Sequence, residues 1–274
     1  MPIFINPLTD FGFKRIFANP KHTNITIAFI NSILNLENPI VEIEFQNLEN
    51  PAENYELRGV IYDILCKDNL GRQFIVELQR AKQEFFIDRS LFYVCRYLNS
   101  QLKKGKTDIP KERFKLLPIY FIGILDFELF NDKDFIRKVN LRDEKCNKID
   151  ETLNFTFVEI PKFNIENPQN DMEKMLYFLK NGRNIQKRIF RDSPFDDIFD
   201  LAEYYQLNED EQRFYDTVLN QELAKIDAIE TAFEDGKKER DLEIAKGMLK
   251  KELDKNLISE LTGLSISEIE QISK

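Results

Sequence analysis

The sequence predicts an α/β domain with a mixed sheet, followed by an all-helical C-terminal region. Two helical patterns open the chain, and five short β-favouring runs follow with one helical pattern among them. Beyond residue 168 every apolar pattern has helical spacing. Strands interspersed with helices favour an α/β core. The change of pattern predicts two domains, residues 1–168 and residues 169–274.

The first domain is predicted in the order helix, helix, strand, hairpin, helix, strand, strand. Thr9 and Asp10 can cap the first helix, because their side-chain oxygens accept from the free N–H groups at a helix start. Residues 131–150 are charged and are predicted to be irregular. The other helices are predicted at 23–34 and 83–102, and the second of these has helically spaced apolar residues at 87, 91, 94, 95, 98 and 102. The strands are predicted at 40–45, 60–66, 74–79, 116–125 and 155–160.

The helical region ends in two short helices with clear boundary signals. Asp254 can cap a helix that stops at Gly263, and Ser265 with Glu268 forms a capping box for the next one. This pair resembles a helix-turn-helix unit. A small bundle that only packs or dimerises is the alternative, since the last helix has no arginine. Earlier helices are predicted at about 171–181, 196–206, 209–234 and 237–252.

Composition excludes several classes of protein. With 42% hydrophobic and 32% charged residues, the 274-residue chain has the make-up of a soluble globular protein. The longest apolar run, residues 116–125, is too short to span a bilayer, and no signal-peptide pattern is found. The three cysteines lack metal-type spacing, which predicts reduced thiols and a cytoplasmic location. His22 is the only histidine, so a multi-histidine zinc site is excluded.

Asp63 and Glu77 are the most informative residues, because each is a carboxylate within a β-favouring run. If the intervening turn is centred on Leu70, residue i pairs with residue 140 − i, and the two carboxylates face each other. Directly opposed residues have Cβ atoms roughly 4.5–5.5 Å apart, where like charges are destabilising. A bound divalent cation relieves this repulsion, and an exposed strand face with scattered charges is the alternative. Gln79 lies on the same strand face as Glu77.

A basic stretch follows the carboxylates, although the chain as a whole has a net charge of −9. Residues 80–115 contain ten basic and four acidic side chains. This asymmetry is typical of a surface that contacts phosphates, and an ordinary solvated helix is the alternative. The candidate DNA-binding residues are Arg89, Tyr93, Arg96, Lys103, Lys104 and Lys106.

Several segments resemble the Rpn family of recombination-promoting nucleases, also called PD-(D/E)XK nuclease family transposases. The resemblance covers nearly the whole chain. It implies a restriction-endonuclease-like core, cleavage of DNA with Mg²⁺ or Mn²⁺, and a role in recombination, mobile elements or defence. The matching segments are residues 4–17, Tyr62-Asp63 with 76–79, 89–97, 117–125, and 244–249 through 261–265.

The resemblance also implies roles for individual residues. Asp63 and Glu77 match the two carboxylates that hold the metal in this superfamily, and Asp10 matches an acidic position on the first helix. A lysine that helps to activate water usually stands two residues after the glutamate, where this chain has Gln79. Glutamine can orient a water molecule but carries no charge. Lys14 and Lys82 are therefore candidates for the basic group.

Three functional hypotheses follow. The first is a metal-dependent DNA endonuclease, and the second is a DNA-binding accessory module on the same fold with weak or no cleavage. The third is an oligomerisation protein whose charged hairpin is incidental. DNA is the expected partner, no membrane association is expected, and the helical C-terminal region is a candidate for homo-oligomerisation. Metal-dependent nicking of plasmid DNA separates the first hypothesis from the others, and salt-sensitive DNA binding separates the second from the third.

Overall fold

The computed structural model describes residues 4–46, 49–50, 60–101, 115–182 and 185–272. The chain divides into two compact units, Met1–Glu209 and Asp210–Lys274. The expected domain boundary at 168 falls inside the first unit. Residues beyond 168 are joined to the start of the chain there, since Phe4 forms a β-bridge with Glu203 and the Ile5 N–H donates to the Ala202 carbonyl at 2.8 Å.

The first unit is organised around a six-stranded mixed sheet with the strand order β1-β4-β5-β6-β8-β7. The β5–β6 and β6–β8 pairs are parallel, and the other pairs of this sheet are antiparallel. The predicted fold class is confirmed by this sheet and by the helices around and after it. In chain order the strands are β1 (Ile43–Phe45), β2 (Glu49–Asn50), β3 (Val60–Ile61), β4 (Ile64–Asp68), β5 (Gln73–Gln79), β6 (Ile119–Leu125), β7 (Ile136–Asn140) and β8 (Leu153–Glu159).

Helix boundaries agree closely with the sequence where capping residues are present. The first helix is capped by Thr9, whose Oγ1 accepts from the Gly12 N–H at 3.0 Å. The predicted second helix has the observed bounds. The helices are α1 (Asp10–Phe17), α2 (Thr23–Leu34), α3 (Phe86–Gln101), α4 (Asp171–Asn181), α5 (Ile198–Ala202), α6 (Glu209–Leu249), α7 (Lys255–Thr262) and α8 (Ile266–Ile272).

One face of the sheet is covered by α3. The helix buries Phe86 and Val94 in an aromatic cluster with Ile75 of β5 and Phe121 of β6. Ile75 lies on the same face of β5 as Glu77 and Gln79, because alternate residues of a strand share a face. The packing of α3 therefore brings this helix over the face that carries the two polar side chains.

The apolar residues of α3 do not form one buried face. Ile87 and Leu91 are 44% and 43% exposed, whereas Phe86 and Val94 are fully buried. Contacts with the aromatic side chains of the sheet determine which side of the helix turns inward, and these contacts join residues far apart in the sequence. Helical spacing of apolar residues alone does not contain that information.

Three other predictions about elements were wrong. The run 60–66 is not one strand, because Val60–Ile61 pairs with β2 in a separate two-stranded sheet and β4 begins at Ile64. The segment 131–150, predicted to be irregular, contains the edge strand β7, whose polar and half-exposed residues show no alternation. Finally, α6 runs without a break through Gly236, since one glycine in a helix costs only about 1 kcal/mol.

Candidate active site

Asp63 and Glu77 lie side by side at the open end of the hairpin. The predicted register is confirmed, since Ile64 pairs with Val76 and each later pair also follows the 140 − i rule. Both carboxyl groups also accept a hydrogen bond from the backbone of this hairpin. The Asp63 N–H donates to Glu77 Oε1 at 3.3 Å, and the N–H of Leu78 donates to Asp63 Oδ2 at 2.9 Å. The hairpin thus fixes both carboxyl groups in one place.

Burial makes this pair electrostatically unfavourable. Glu77 is only 5% exposed, and burial, with the nearby charge of Asp63, raises its pKa to about 8. Burial also raises the pKa of Asp63, although the Leu78 N–H and Lys14 act in the opposite direction. The two groups therefore bind protons more readily than free carboxylic acids, and a cation at this place would compete with those protons.

This raised pKa gives a stability prediction. The Glu77 side chain ionises near 4.5 in an unfolded chain but near 8 in the folded protein. We expect the free energy of unfolding of the metal-free protein to fall as the pH rises through this window, because the folded protein still holds a proton that the unfolded chain has already released. Urea unfolding in EDTA, at a series of pH values, measures this fall.

The Glu77→Gln variant should lose most of this pH dependence, because it has no proton to release. Glu84→Gln, which removes an exposed carboxylate, is the matched control and should keep the parent slope. Equal slopes for the parent and Glu77→Gln would show that Glu77 ionises normally in the folded state.

Lys14 supplies the positive charge that contacts Asp63. Its Nζ lies 2.7 Å from Asp10 Oδ1 and 3.3 Å from Asp63 Oδ1, so α1 contributes both an ammonium group and the carboxylate that holds it. Burial lowers the pKa of Lys14, but the hydrogen bond to Asp10 and the charge of Asp63 outweigh this, and the pKa is raised. Lys14 is therefore protonated at neutral pH and acts as a cation rather than as a base.

Gln79 is held by Arg89 of α3. The Arg89 Nη2 donates to Gln79 Oε1, its Nη1 donates to Gln83 Oε1 at 2.6 Å, and the guanidinium lies 5.7 Å from the centre of the Tyr93 ring. The Gln79 Nε2 donates to the Ala81 carbonyl at 2.9 Å. The charge of Arg89 also acts to lower the pKa of Glu77.

The structure thus gives Arg89 a contact that the sequence did not predict. Contact of Arg89 with DNA phosphate stays a prediction, and its guanidinium donates to Gln79 at the end of the preceding strand, β5. Sequence spacing does not predict contacts between a strand residue and a residue on the following helix. The one sequence feature that pointed to this contact was the short connection between Gln79 and Arg89.

The other candidate residues are placed as follows. Tyr93 and Arg96 are half-buried on α3, and burial and the nearby charge of Glu77 raise the pKa of Tyr93. Lys82 is exposed in the connection after β5. Lys103, Lys104 and Lys106 lie outside the described residues.

The oxygen ligands present suit a hard divalent cation. Across residues 4–46, 60–101, 115–182 and 185–272 no group of three or more histidine, cysteine, aspartate or glutamate side chains could hold a metal ion. Mg²⁺, however, usually binds one or two carboxylates and takes its remaining oxygens from water and substrate phosphates. Asp63 and Glu77 meet that requirement, and the unfavourable burial of their charges is a reason for a cation to bind there.

The second unit has the predicted helix-turn-helix elements. Asp254 Oδ1 accepts from the Asn256 N–H at 2.9 Å, and Gly263 ends α7 with a left-handed φ of 74°. The predicted capping box has both of its hydrogen bonds, since the Ser265 N–H donates to Glu268 Oε2 at 2.9 Å and the Glu268 N–H donates to Ser265 Oγ at 3.3 Å. A small apolar core joins α7 and α8 to the end of α6, formed by Ala245, Ile258, Leu264 and Ile269.

Comparison with known families agrees with this arrangement. The model of the PD-(D/E)XK nuclease family transposases matches residues 7–232, and the model of the C-terminal helix-turn-helix domain of the Rpn/YhgA-like nuclease family matches residues 238–274. No curated protein and no solved structure matches the chain. In the described part of the chain no helix is long and apolar enough to cross a membrane. The chain belongs to the PD-(D/E)XK nuclease family transposases and ends in an Rpn/YhgA-like helix-turn-helix domain.

Proposed function

We propose that the protein is a DNA endonuclease that depends on Mg²⁺ or Mn²⁺ and hydrolyses phosphodiester bonds. The observation that carries this proposal is the pair Asp63 and Glu77, two largely buried carboxyl groups at the end of one hairpin, each of which accepts a hydrogen bond from a backbone N–H of that hairpin. The family match covers residues 7–232 and supports nuclease chemistry in the part of the chain that holds these two residues.

In this proposal Asp63 and Glu77 hold the metal. A bound divalent ion would stabilise negative charge on the phosphate and would lower the pKa of a water molecule, so that hydroxide is available as the nucleophile near neutral pH. Glu77 must lose its proton to bind, so metal affinity rises as the pH approaches about 8.

Lys14 and Gln79 act beside the metal ligands. The Lys14 side chain is 33% exposed, so its ammonium group can contact a phosphate oxygen while Asp10 fixes its position. Gln79 Nε2 uses one hydrogen in its contact with Ala81 and has a second for a water molecule. Arg89 holds the amide in this orientation.

DNA is the proposed substrate. The C-terminal helix-turn-helix domain belongs to a fold that commonly places one helix in the major groove. Arg96, Lys103, Lys104 and Lys106 remain candidates for phosphate contacts, with Arg89 and Tyr93 bordering the site. The family supports a role in recombination, mobile elements or defence, in the cytoplasm.

A DNA-binding accessory module with weak or no cleavage is the second candidate. One observation favours it. Gln79 stands at the position of the usual lysine, carries no charge, and already forms hydrogen bonds through both its amide nitrogen and its amide oxygen. In this alternative the carboxylates bind a metal that positions DNA without cutting it.

Supercoiled plasmid separates these candidates. We expect nicked or linear DNA with Mg²⁺ and Mn²⁺, no cutting in EDTA, and binding without cutting in Ca²⁺, because Ca²⁺ is larger and has a less strict geometry. Metal-dependent binding with no product under any condition would support the accessory module. Cutting that persists in EDTA would contradict a metal-dependent enzyme.

A further inference from the structure

The side of α3 that carries Arg89 also carries exposed aromatic rings. Phe85, in the turn before the helix, is 66% exposed, and Phe92 is 44% exposed. Arg89 stands four positions after Phe85 and three before Phe92, and its N–H donates to the Phe85 carbonyl at 3.0 Å. Residues three and four positions apart are neighbours on a helix surface. These three side chains therefore form one stripe, which we call the aromatic stripe.

Arg89 places the aromatic stripe beside the candidate active site. Its Nη2 donates to Gln79 Oε1, and its charge acts to lower the pKa of Glu77. A phosphate held at the proposed metal ligands has a nucleotide on either side, and the bases of these nucleotides reach the surfaces that border the site. The aromatic stripe is such a surface, which distinguishes it from an exposed apolar face with no site beside it.

The aromatic stripe combines rings with positive charge. The guanidinium of Arg89 donates to the amide oxygens of Gln79 and Gln83, and neither of these partners carries a charge. The group has further N–H donors for a phosphate oxygen. Arg96 lies seven positions after Arg89 and therefore on the same side of the helix. Surfaces that bind single-stranded nucleic acids combine rings that stack on bases with cations that contact phosphates.

The rings of this stripe suit bases that are not paired. Bases in a duplex are stacked on one another, so a side-chain ring reaches the face of a base only where the strand is unpaired or the base is turned out. The seven residues from Phe85 to Phe92 rise about 10 Å along the helix, which spaces the rings for two different bases.

We infer that the aromatic stripe binds unpaired bases of the DNA strand that is cut, with Phe85 and Phe92 stacked on bases and Arg89 in contact with a phosphate between them. The substrate class is then single-stranded DNA, or duplex DNA that is opened locally at the site. This inference rests on the proposed endonuclease function, because it concerns the strand held at Asp63 and Glu77.

Fluorescence anisotropy of the full-length protein, with a labelled single-stranded oligonucleotide in Ca²⁺, tests the stacking. We expect tighter binding of the single strand than of a duplex of the same sequence. Phe85→Ala and Phe92→Ala should each weaken single-strand binding by about 5- to 150-fold, the usual contribution of one stacked base. Phe92→Tyr should keep the affinity, whereas Phe92→Leu should lose most of it, because leucine is apolar but has no ring.

Ile87→Ala and Leu91→Ala are the matched controls. Both residues are exposed and apolar, at 44% and 43%, but each lies two positions from Arg89 and so on another side of α3. Both variants should bind the single strand as the parent does, and thermal unfolding should show that all variants are folded. Equal losses in the controls and in the two phenylalanine variants would overturn the inference, as would parent affinity in Phe85→Ala and Phe92→Ala or a preference for the duplex.

The salt dependence of binding separates the rings from the charge. Arg89→Gln should reduce the slope of affinity against salt by about one phosphate contact, whereas Phe92→Ala should weaken binding and keep the parent slope. A slope reduced as much by Phe92→Ala as by Arg89→Gln would contradict stacking. Because these measurements follow binding alone, they can fail while plasmid cutting in Mg²⁺ succeeds, so the two proposals are tested separately.

Discussion

Asp63→Ala should abolish metal-dependent cleavage, a loss of about 10³-fold or more, while the fold is kept. The substitution removes one of two proposed metal ligands, and a metal ion contributes several kcal/mol to the stabilisation of a charged transition state. The fold should persist because the variant also relieves the repulsion between Asp63 and Glu77. Plasmid cleavage with and without Mn²⁺ measures the loss of activity, and thermal unfolding with and without Mn²⁺ measures whether the fold is kept.

Asp63→Asn and Asp68→Asn form a matched pair for this prediction. Both remove one negative charge from the same hairpin, but Asp68 lies at its turn, where it is bonded to Arg72 at 2.6 Å. We expect Asp68→Asn to lower stability and to retain the rise in melting temperature that Mn²⁺ produces. In Asp63→Asn, Mn²⁺ should no longer raise the melting temperature, because a metal raises it only by binding to the native state. Parent-level cleavage by purified Asp63→Ala would refute the assignment of the metal site.

The hairpin shows how far sequence reasoning reaches. Its register was predictable because the turn-forming stretch between the two β-favouring runs is centred on Leu70, and the centre of the turn fixes every pair of the hairpin. The meeting of Asp63 and Glu77 followed from that register. The start of α1 was predictable for a similar reason, since Thr9 caps a helix through local hydrogen bonds.

The missed features all depend on contacts between distant segments. The break before Ile64 arises because Val60–Ile61 pairs with a different strand, β2, which local patterns do not reveal. The contact of Arg89 with Gln79 depends on how α3 turns over the sheet, and Phe86 and Val94 determine that orientation by packing on Phe121. The meeting of the two candidate ligands was therefore predictable, but the contact of Arg89 with Gln79 was not.

Gln79→Ala should lower the cleavage rate by about 10²- to 10⁴-fold, the usual contribution of a group that positions water or transfers a proton. Metal binding should be kept, because neither Asp63 nor Glu77 changes. The Mn²⁺-induced rise in melting temperature measures binding, and single-turnover cleavage measures the rate. We expect Gln79→Lys to retain or increase activity, and most clearly together with Arg89→Ala, which removes the like charge that would otherwise stand beside the new ammonium group.

Gln83→Ala is the matched control, because Gln83 also accepts a hydrogen bond from Arg89 but is exposed. If Gln79 only accepted a hydrogen bond from the Arg89 guanidinium, the Gln79→Ala and Gln83→Ala variants should cleave DNA at the same rate. A low cleavage rate for Gln79→Ala, together with the parent rate for Gln83→Ala, would instead show that Gln79 acts at the metal site. If Gln79→Ala cleaves as fast as the parent, Gln79 takes no part in the reaction. Lys14, which contacts Asp63 directly, would then be the first residue to replace, and Lys82 the second.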